Sequence, residues 1–190
     1  MHADSWALKA KRLGFRSRAA FKLEEILSKT KILQKNSLVL DIGSAPGGWS
    51  ELIKSIDPSS KIYAIDLLAM EPIEDVLFFQ EDIINIDQIE EIFSLKSEFD
   101  LVISDLAPNL TGIRAVDEEN IFELNILTLK IAAKYLKKGN GSFIIKTFQN
   151  SLLKKLRTKM EKSFHLVQTY KPAASKSKSG EIYLYGEKPL

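Results

Sequence analysis

Runs rich in β-branched and aromatic residues recur along the chain at SLVLDIG (37–43), KIYAIDLL (61–68), VLFFQED (76–82), FDLVISDLA (99–107) and GSFIIKTF (141–148). Between most of them the apolar positions fall at helical spacing. GGWSELIKSI (47–56) is one such stretch, NIDQIEEIFSL (85–95) opens on an asparagine suited to capping, and DEENIFELNILTLKIAAKYLKKG (117–139) runs from an acidic start to a glycine stop. The 68–76 connection is too brief for a helix beyond one turn at Pro72. Strands alternating with helices predict a mostly parallel sheet covered on both faces, the α/β class.

The last part of the chain departs from that rhythm. After SLLKKLRTKMEKS (151–163) come two more strand-like runs, FHLVQTYKP (164–172) and EIYLYGEK (181–188), separated only by AASKSKSG. A parallel crossover takes about a dozen residues or more, so this pair is predicted to be an antiparallel hairpin and the sheet to carry one reversed strand near an edge. With 190 residues and 45% hydrophobic content, one domain over 1–190 is expected, in which 1–31 is a basic helical segment and 32–190 the α/β core.

Charge is distributed unevenly. Residues 1–31 hold eight Lys/Arg against three acids, 32–136 hold seven against nineteen, and 137–178 hold eleven against one. An acidic middle between two basic segments suits a polyanion partner if both segments reach one face; otherwise they are solvated lysines. There is no cysteine and there are only two histidines, which excludes disulfides and thiolate metal sites and argues against zinc. No metal is expected. No run approaches the ~18 apolar residues of a membrane span, and the N-terminal residues lack the apolar stretch of a signal peptide. A cytoplasmic protein with no membrane partner is the expectation, with a mitochondrial transit peptide as the alternative for the basic N-terminus.

LVLDIGSAPGGW (38–49) sets a strand, Asp41, Gly43 and then Gly47 and Gly48 directly before a helix. Glycines there let a ligand approach the backbone, and the helix start offers N–H donors. No lysine follows Gly48, so this is not a phosphate-cradling P-loop, and the G-x-G-x-x-G spacing is missing. Asp66 ends the second strand, where an acid accepts hydrogen bonds from a ribose diol, and Asp82 ends the third, where it can accept from an adenine amino group. Taken singly, each acid reads equally as a helix cap or a solvated loop residue. Three at the carboxyl ends of three successive strands fit a nucleoside cofactor, with a NAD-binding domain as a competitor.

Lys146 interrupts the apolar run GSFIIKTF. Buried in this way, an amine is either paired or uncharged. The motifs GFRSRAAFKLEEI (14–26), DIGSAPGGWS (41–50), SDLAPNLTG (104–112), IIKTFQ (144–149) and KPAASKSKSGEIY (171–183), met in this order, resemble those of the FtsJ/RrmJ-type ribosomal RNA 2′-O-ribose methyltransferases. The resemblance implies a Rossmann-like fold with a seven-stranded sheet whose last strand is antiparallel, binding S-adenosylmethionine. It implies a catalytic tetrad of Lys22, Asp105, Lys146 and Glu181, and cofactor contacts at Gly47, Trp49, Asp66, Asp82 and Asp105. Trp49 reads equally as core packing under the turn.

A ribose hydroxyl is a weak nucleophile until a base takes its proton. Lys146 is expected to be that base, since burial, the ammonium of Lys22 and a sulfonium all favour its neutral form, while Asp105 favours the charged one. Lys22 would hold the nucleophilic oxygen, Asp105 would orient Lys146, and Glu181 would position the hydroxyl or Lys22. Lys9, Lys11, Arg12, Arg16 and Arg18 precede Lys22, and Lys171, Lys176 and Lys178 precede Glu181, so both clusters are expected to bind RNA phosphates. The implied substrate is a uridine of large-subunit ribosomal RNA in the assembled particle, and a monomer is the default. Transfer RNA ribose methylation, base methylation and a noncatalytic ribosome-assembly role are the alternatives. DLAPN offers no aromatic where NPPY-type amino-group methyltransferases carry one.

Overall fold

In the computed structural model, which describes residues 5–175 and 179–190, the seven apolar runs become seven strands of one sheet. They are β1 (Leu38–Ile42), β2 (Lys61–Asp66), β3 (Val76–Gln80), β4 (Leu101–Ser104), β5 (Ser142–Phe148), β6 (Phe164–Tyr170) and β7 (Glu181–Pro189). Across the sheet the order is β3, β2, β1, β4, β5, β7, β6. Neighbours are parallel from β3 to β5, whereas β7 runs antiparallel to both β5 and β6. The short 171–180 connection thus does make a hairpin, and its second strand inserts beside β5 and leaves β6 at the edge. Chain direction across the sheet reverses between β1 and β4, and a crevice outside the carboxyl ends of strands is expected at such a switch point.

Period-two alternation divides the strand side chains between two apolar layers. Leu40, Ile42, Val102, Phe143 and Ile145 face α5 (Arg114–Tyr135) and α6 (Leu153–Glu161). Val39, Leu101, Ile103, Ile144 and Tyr183 face α2 (Ala19–Thr30) and α3 (Gly48–Ile56). Lys146 shares the parity of Ile144, and Asp41 that of Val39, so both belong to the α2/α3 side. An N-terminal helix, α1 (Ser5–Arg12), docks through Ala10, with Trp6 and Phe15 around Phe21 and Ala174.

Two helices differ from their predicted spans. The 85–95 stretch becomes a 3₁₀ turn (Ile83–Gln88) followed by a single α turn, α4 (Glu90–Phe93). Asp82, not Asn85, caps it, accepting the Ile84 N–H at 3.0 Å. The long helix starts at Arg114, three residues earlier than predicted, because the carboxylate of Asp117 gathers the N–H groups of Thr111 and Gly112 into the preceding turn.

Candidate active site

Four elements deliver charged side chains to the carboxyl edge of the sheet beside the glycine-rich turn. Lys22 comes from the buried face of α2, Asp105 follows directly on β4, Lys146 lies near the end of β5, and Glu181 begins β7, opposite Phe148. The antiparallel insertion of β7 is what brings Glu181 to this edge, since a parallel strand would start at the other end.

These residues form two ion pairs. Lys22 Nζ lies 2.7 and 2.9 Å from the two carboxylate oxygens of Glu181, with the side chains 6% and 13% exposed. Lys146 Nζ lies 3.1 Å from Asp105 Oδ1 and also donates to the Asp105 backbone carbonyl, with side chains 11% and 22% exposed. The lysine in the apolar run is therefore paired. Burial pushes the Glu181 carboxyl up, but the hydrogen bond and charge of Lys22, with help from Ser175 and the charge of Lys146, hold it below the ordinary value.

Tyr183, buried in the α2/α3 layer, stands directly across from Lys146 and donates to Asp105 Oδ1 at 3.0 Å. The Lys22 ammonium lies 5.9 Å from the centre of its ring. Strand periodicity carries a signal for it, because a residue two places after Glu181 faces the same side.

The glycine-rich turn closes over a cavity of about 20 Å³, room for about one water molecule. Asp41, Gly43, Ser44 and Trp49 line it with Ser17 and Asp105. Asp41 Oδ1 and Ser44 Oγ are buried with no hydrogen-bond partner among the described residues, while Asp41 Oδ2 accepts from Ser50 at 2.6 Å. Burial pushes the Asp41 carboxyl up to about 7, with the Ser50 hydrogen bond opposing and the charges of Asp105 and Asp66 adding to the rise. A buried acceptor and a hydroxyl left open beside a glycine turn fit a ligand that carries a cationic donor and polar oxygens, as S-adenosylmethionine does.

The other expected cofactor residues are placed as follows. Gly47 takes φ 104° at the start of α3, a conformation L side chains rarely adopt. Asp66 accepts the Ala45 N–H at 2.9 Å and the Leu68 N–H at 2.8 Å, tying the glycine-rich turn to the connection after β2. Asp82 is exposed. The Trp49 side chain belongs to the core layer: its indole N–H donates to the Ala19 carbonyl at 2.9 Å and its ring packs 5.8 Å from that of Tyr183.

The end of the second basic segment packs against the first. The Ala173 N–H bonds Glu25 of α2 at 2.7 Å, and Ala174 packs against Ala10 and Phe21. Lys11 and Arg12 are exposed, Lys9 lies over the rings of Trp6 and Phe21, and Lys171 is exposed with its amine on the Ser179 carbonyl. Arg18 is partly buried, and Lys176 and Lys178 lie outside the described residues. Arg16 departs from expectation, because its guanidinium is spent on backbone carbonyls and Glu51.

A family described as FtsJ-like methyltransferase matches residues 15–188. The chain is 40% identical over 184 residues to a protein of Methanocella arvoryzae named Ribosomal RNA large subunit methyltransferase E, covering 97% of this chain and 72% of that one. It is likewise 40% identical over 188 residues to a Coxiella burnetii protein of the same name, covering 95% and 88%. A crystal structure described as a ribosomal RNA methyltransferase from Plasmodium falciparum superposes with a TM-score of 0.81 at 32% identity, over 93% of this chain and 99% of that one. A fibrillarin/Nop5p complex shares the fold alone, with a TM-score of 0.60 at 18% identity, over 82% of this chain and 74% of that one.

Proposed function

Because the chain belongs to the FtsJ-like methyltransferase family, we propose that it methylates a ribose 2′-hydroxyl of RNA, a uridine of large-subunit ribosomal RNA, with S-adenosylmethionine as donor. The observation that carries this reading is the pair of lysine–carboxylate contacts at the crevice edge, beside a glycine turn with an unsatisfied acid. Bound S-adenosylmethionine supplies a methyl carbon made electrophilic by its sulfonium. The backbone of the 43–47 turn, Asp41 and Asp66 would hold it, with Asp82 at the adenine end.

What the chain itself does follows from the two pairs. Glu181 holds the Lys22 ammonium in place, so Lys22 is the group that grips the substrate oxygen and favours its developing negative charge. Asp105, held from behind by Tyr183, sets the direction of the Lys146 amine. Lys146, its amine aimed by Asp105, is the group that takes the proton leaving the hydroxyl oxygen. Two lysines at one oxygen are then not redundant, because one grips the oxygen and the other exchanges its proton. The basic surface around α1, α2 and the 171–175 loop would hold flanking phosphates.

The test is transfer of labelled methyl groups to ribosomal particles from cells lacking the protein, followed by alkaline hydrolysis. A 2′-O-methyl group makes the adjacent phosphodiester resistant, whereas a methylated base leaves it cleavable and would refute the reading. Lys146→Ala should lower the single-turnover rate by about 10²–10⁴-fold, with affinity for S-adenosylhomocysteine retained. A Lys146→Arg variant with the wild-type pH–rate profile would sink the role of Lys146 as base.

A further inference from the structure

The guanidinium of Arg16 meets four partners drawn from three segments. Nη1 donates to the backbone carbonyls of Pro46 at 3.2 Å and Glu71 at 2.6 Å, Nη2 to that of Pro72 at 2.8 Å, and Nε lies 3.6 Å from Glu51 Oε1. The Arg16 backbone N–H reaches the other Glu51 oxygen at 3.1 Å. A guanidinium has five N–H groups in a fixed fork; three of them are bonded to carbonyls here, and Nε faces the Glu51 carboxylate at ion-pair distance. That is a poor hold on a phosphate and a good hold on loops.

The loops in question flank the crevice. Pro46 lies in the glycine-rich turn, Glu51 in the first turn of α3, and Glu71 and Pro72 in the connection from β2 to β3. Gly47 shows independently how closely they are drawn together. A Cβ on it would stand 2.7 Å from Ile73 Cδ1, 3.0 Å from Met70 Sδ and 3.3 Å from Arg16 Nη1. Asp66 ties the same two loops from below. Arg16 itself sits in the 13–18 segment that leads into α2, six residues before Lys22.

We propose that Arg16 is a positioning residue for the cofactor, not an RNA contact: it fixes the two loops flanking the cofactor crevice to each other and to the segment that carries Lys22. This rests on the methyltransferase reading above. A ligand that binds the ordered loops then also orders the approach to Lys22, and by linkage ordering that segment favours the ligand.

The test separates the two roles by comparing Arg16→Ala and Arg16→Lys with a Lys11→Ala/Arg12→Ala control. Affinity for S-adenosylhomocysteine is measured by calorimetry, affinity for a short oligouridine as a function of salt, and amide hydrogen exchange without ligand. Both Arg16 variants should bind S-adenosylhomocysteine roughly 10- to 100-fold more weakly, with faster exchange at 43–48 and 67–75 and an unchanged oligouridine salt slope. The control should do the reverse. Lysine decides the matter even if the alanine variant fails to fold, because it keeps the charge a phosphate needs but cannot span carbonyls on two loops. Restored oligouridine binding in Arg16→Lys, with S-adenosylhomocysteine affinity and loop exchange at wild-type values, would overturn the proposal. Wild-type protein that binds no S-adenosylhomocysteine would instead overturn the functional reading, and this inference with it.

Discussion

Replacing Asp41 by asparagine should reverse part of the protein's pH dependence. The Asp41 carboxyl is 1% exposed, with one oxygen bonded to Ser50 and the other without a partner. Burial therefore dominates and raises it from an ordinary 3.8 to about 7, with the neighbouring charges of Asp105 and Asp66 contributing. Below about pH 4 the group is protonated in both the folded and the unfolded chain and contributes no pH dependence. From about pH 4 to 7 the unfolded chain gives up the proton while the folded one keeps it, so stability falls as pH rises, and above about 7 the loss is complete. At about 1.4 kcal/mol per pH unit, the whole gap between 3.8 and about 7 corresponds to about 4 kcal/mol.

Asparagine cannot ionise, so it lacks this loss. It does place an amide N–H₂ where an oxygen lacked a partner, or leaves its own oxygen there, at a cost of about 1–3 kcal/mol that does not vary with pH. The slope, not the offset, carries the argument. Urea denaturation of both proteins between about pH 5 and 8 should show the difference, Asp41→Asn minus wild type, rising by about 3 kcal/mol in favour of asparagine. Parallel stability curves across that range would mean that Asp41 is ionised in the fold and that the orphan oxygen is met by water or an ion.

Glu181→Gln should cost about 1–3 kcal/mol at neutral pH by leaving the buried Lys22 ammonium half-satisfied. Because the Glu181 carboxyl lies below its ordinary 4.5, that contribution is present above about 4.5 and fades as pH falls through the lower folded value, which acid-range denaturation of both proteins will show. Gly47→Ala should cost about 1–3 kcal/mol from the φ of 104° alone, with more from the contact with Ile73, read as a lowered Tm and weaker S-adenosylhomocysteine binding. Lys11→Glu with Arg12→Glu, both exposed, should weaken RNA binding at low salt far more than at high salt and leave cofactor affinity intact. Equal weakening at all salt concentrations would place the effect on folding instead.

What could be read from the sequence follows the range over which each interaction acts. Strand parity and loop length are local, so the reversed β7 and the buried side of Lys146 were both legible from runs of ten residues or so. Asp82 in place of Asn85 as a cap is a local misreading: two acceptors three residues apart compete for one helix start, and the earlier one meets the chain as it leaves β3. The Lys22–Glu181 pair joins residues 159 positions apart. Only the resemblance to a family, not periodicity, brought those two together in advance.

Arg16 shows a different kind of limit. Read as charge, it belongs with its basic neighbours and with phosphate, because the sequence displays cations and anions by name. Three of its four partners are backbone carbonyls, and a carbonyl is present at every residue whatever its letter. Which ones become available depends on how two loops are bent: the glycine-rich turn by Gly47, and the 67–75 connection by Pro72 and by the tie from Asp66 to Leu68. An arginine in a basic run can therefore be a loop brace with no change in local composition. The distinguishing sign lies elsewhere in the chain, in a glycine whose missing Cβ leaves room for the guanidinium and two apolar side chains to close over it. Under the proposed function the same glycine-rich turn has two neighbours to accommodate, the ligand on one side and the brace on the other. That double demand is the physical reason its backbone admits so few side chains.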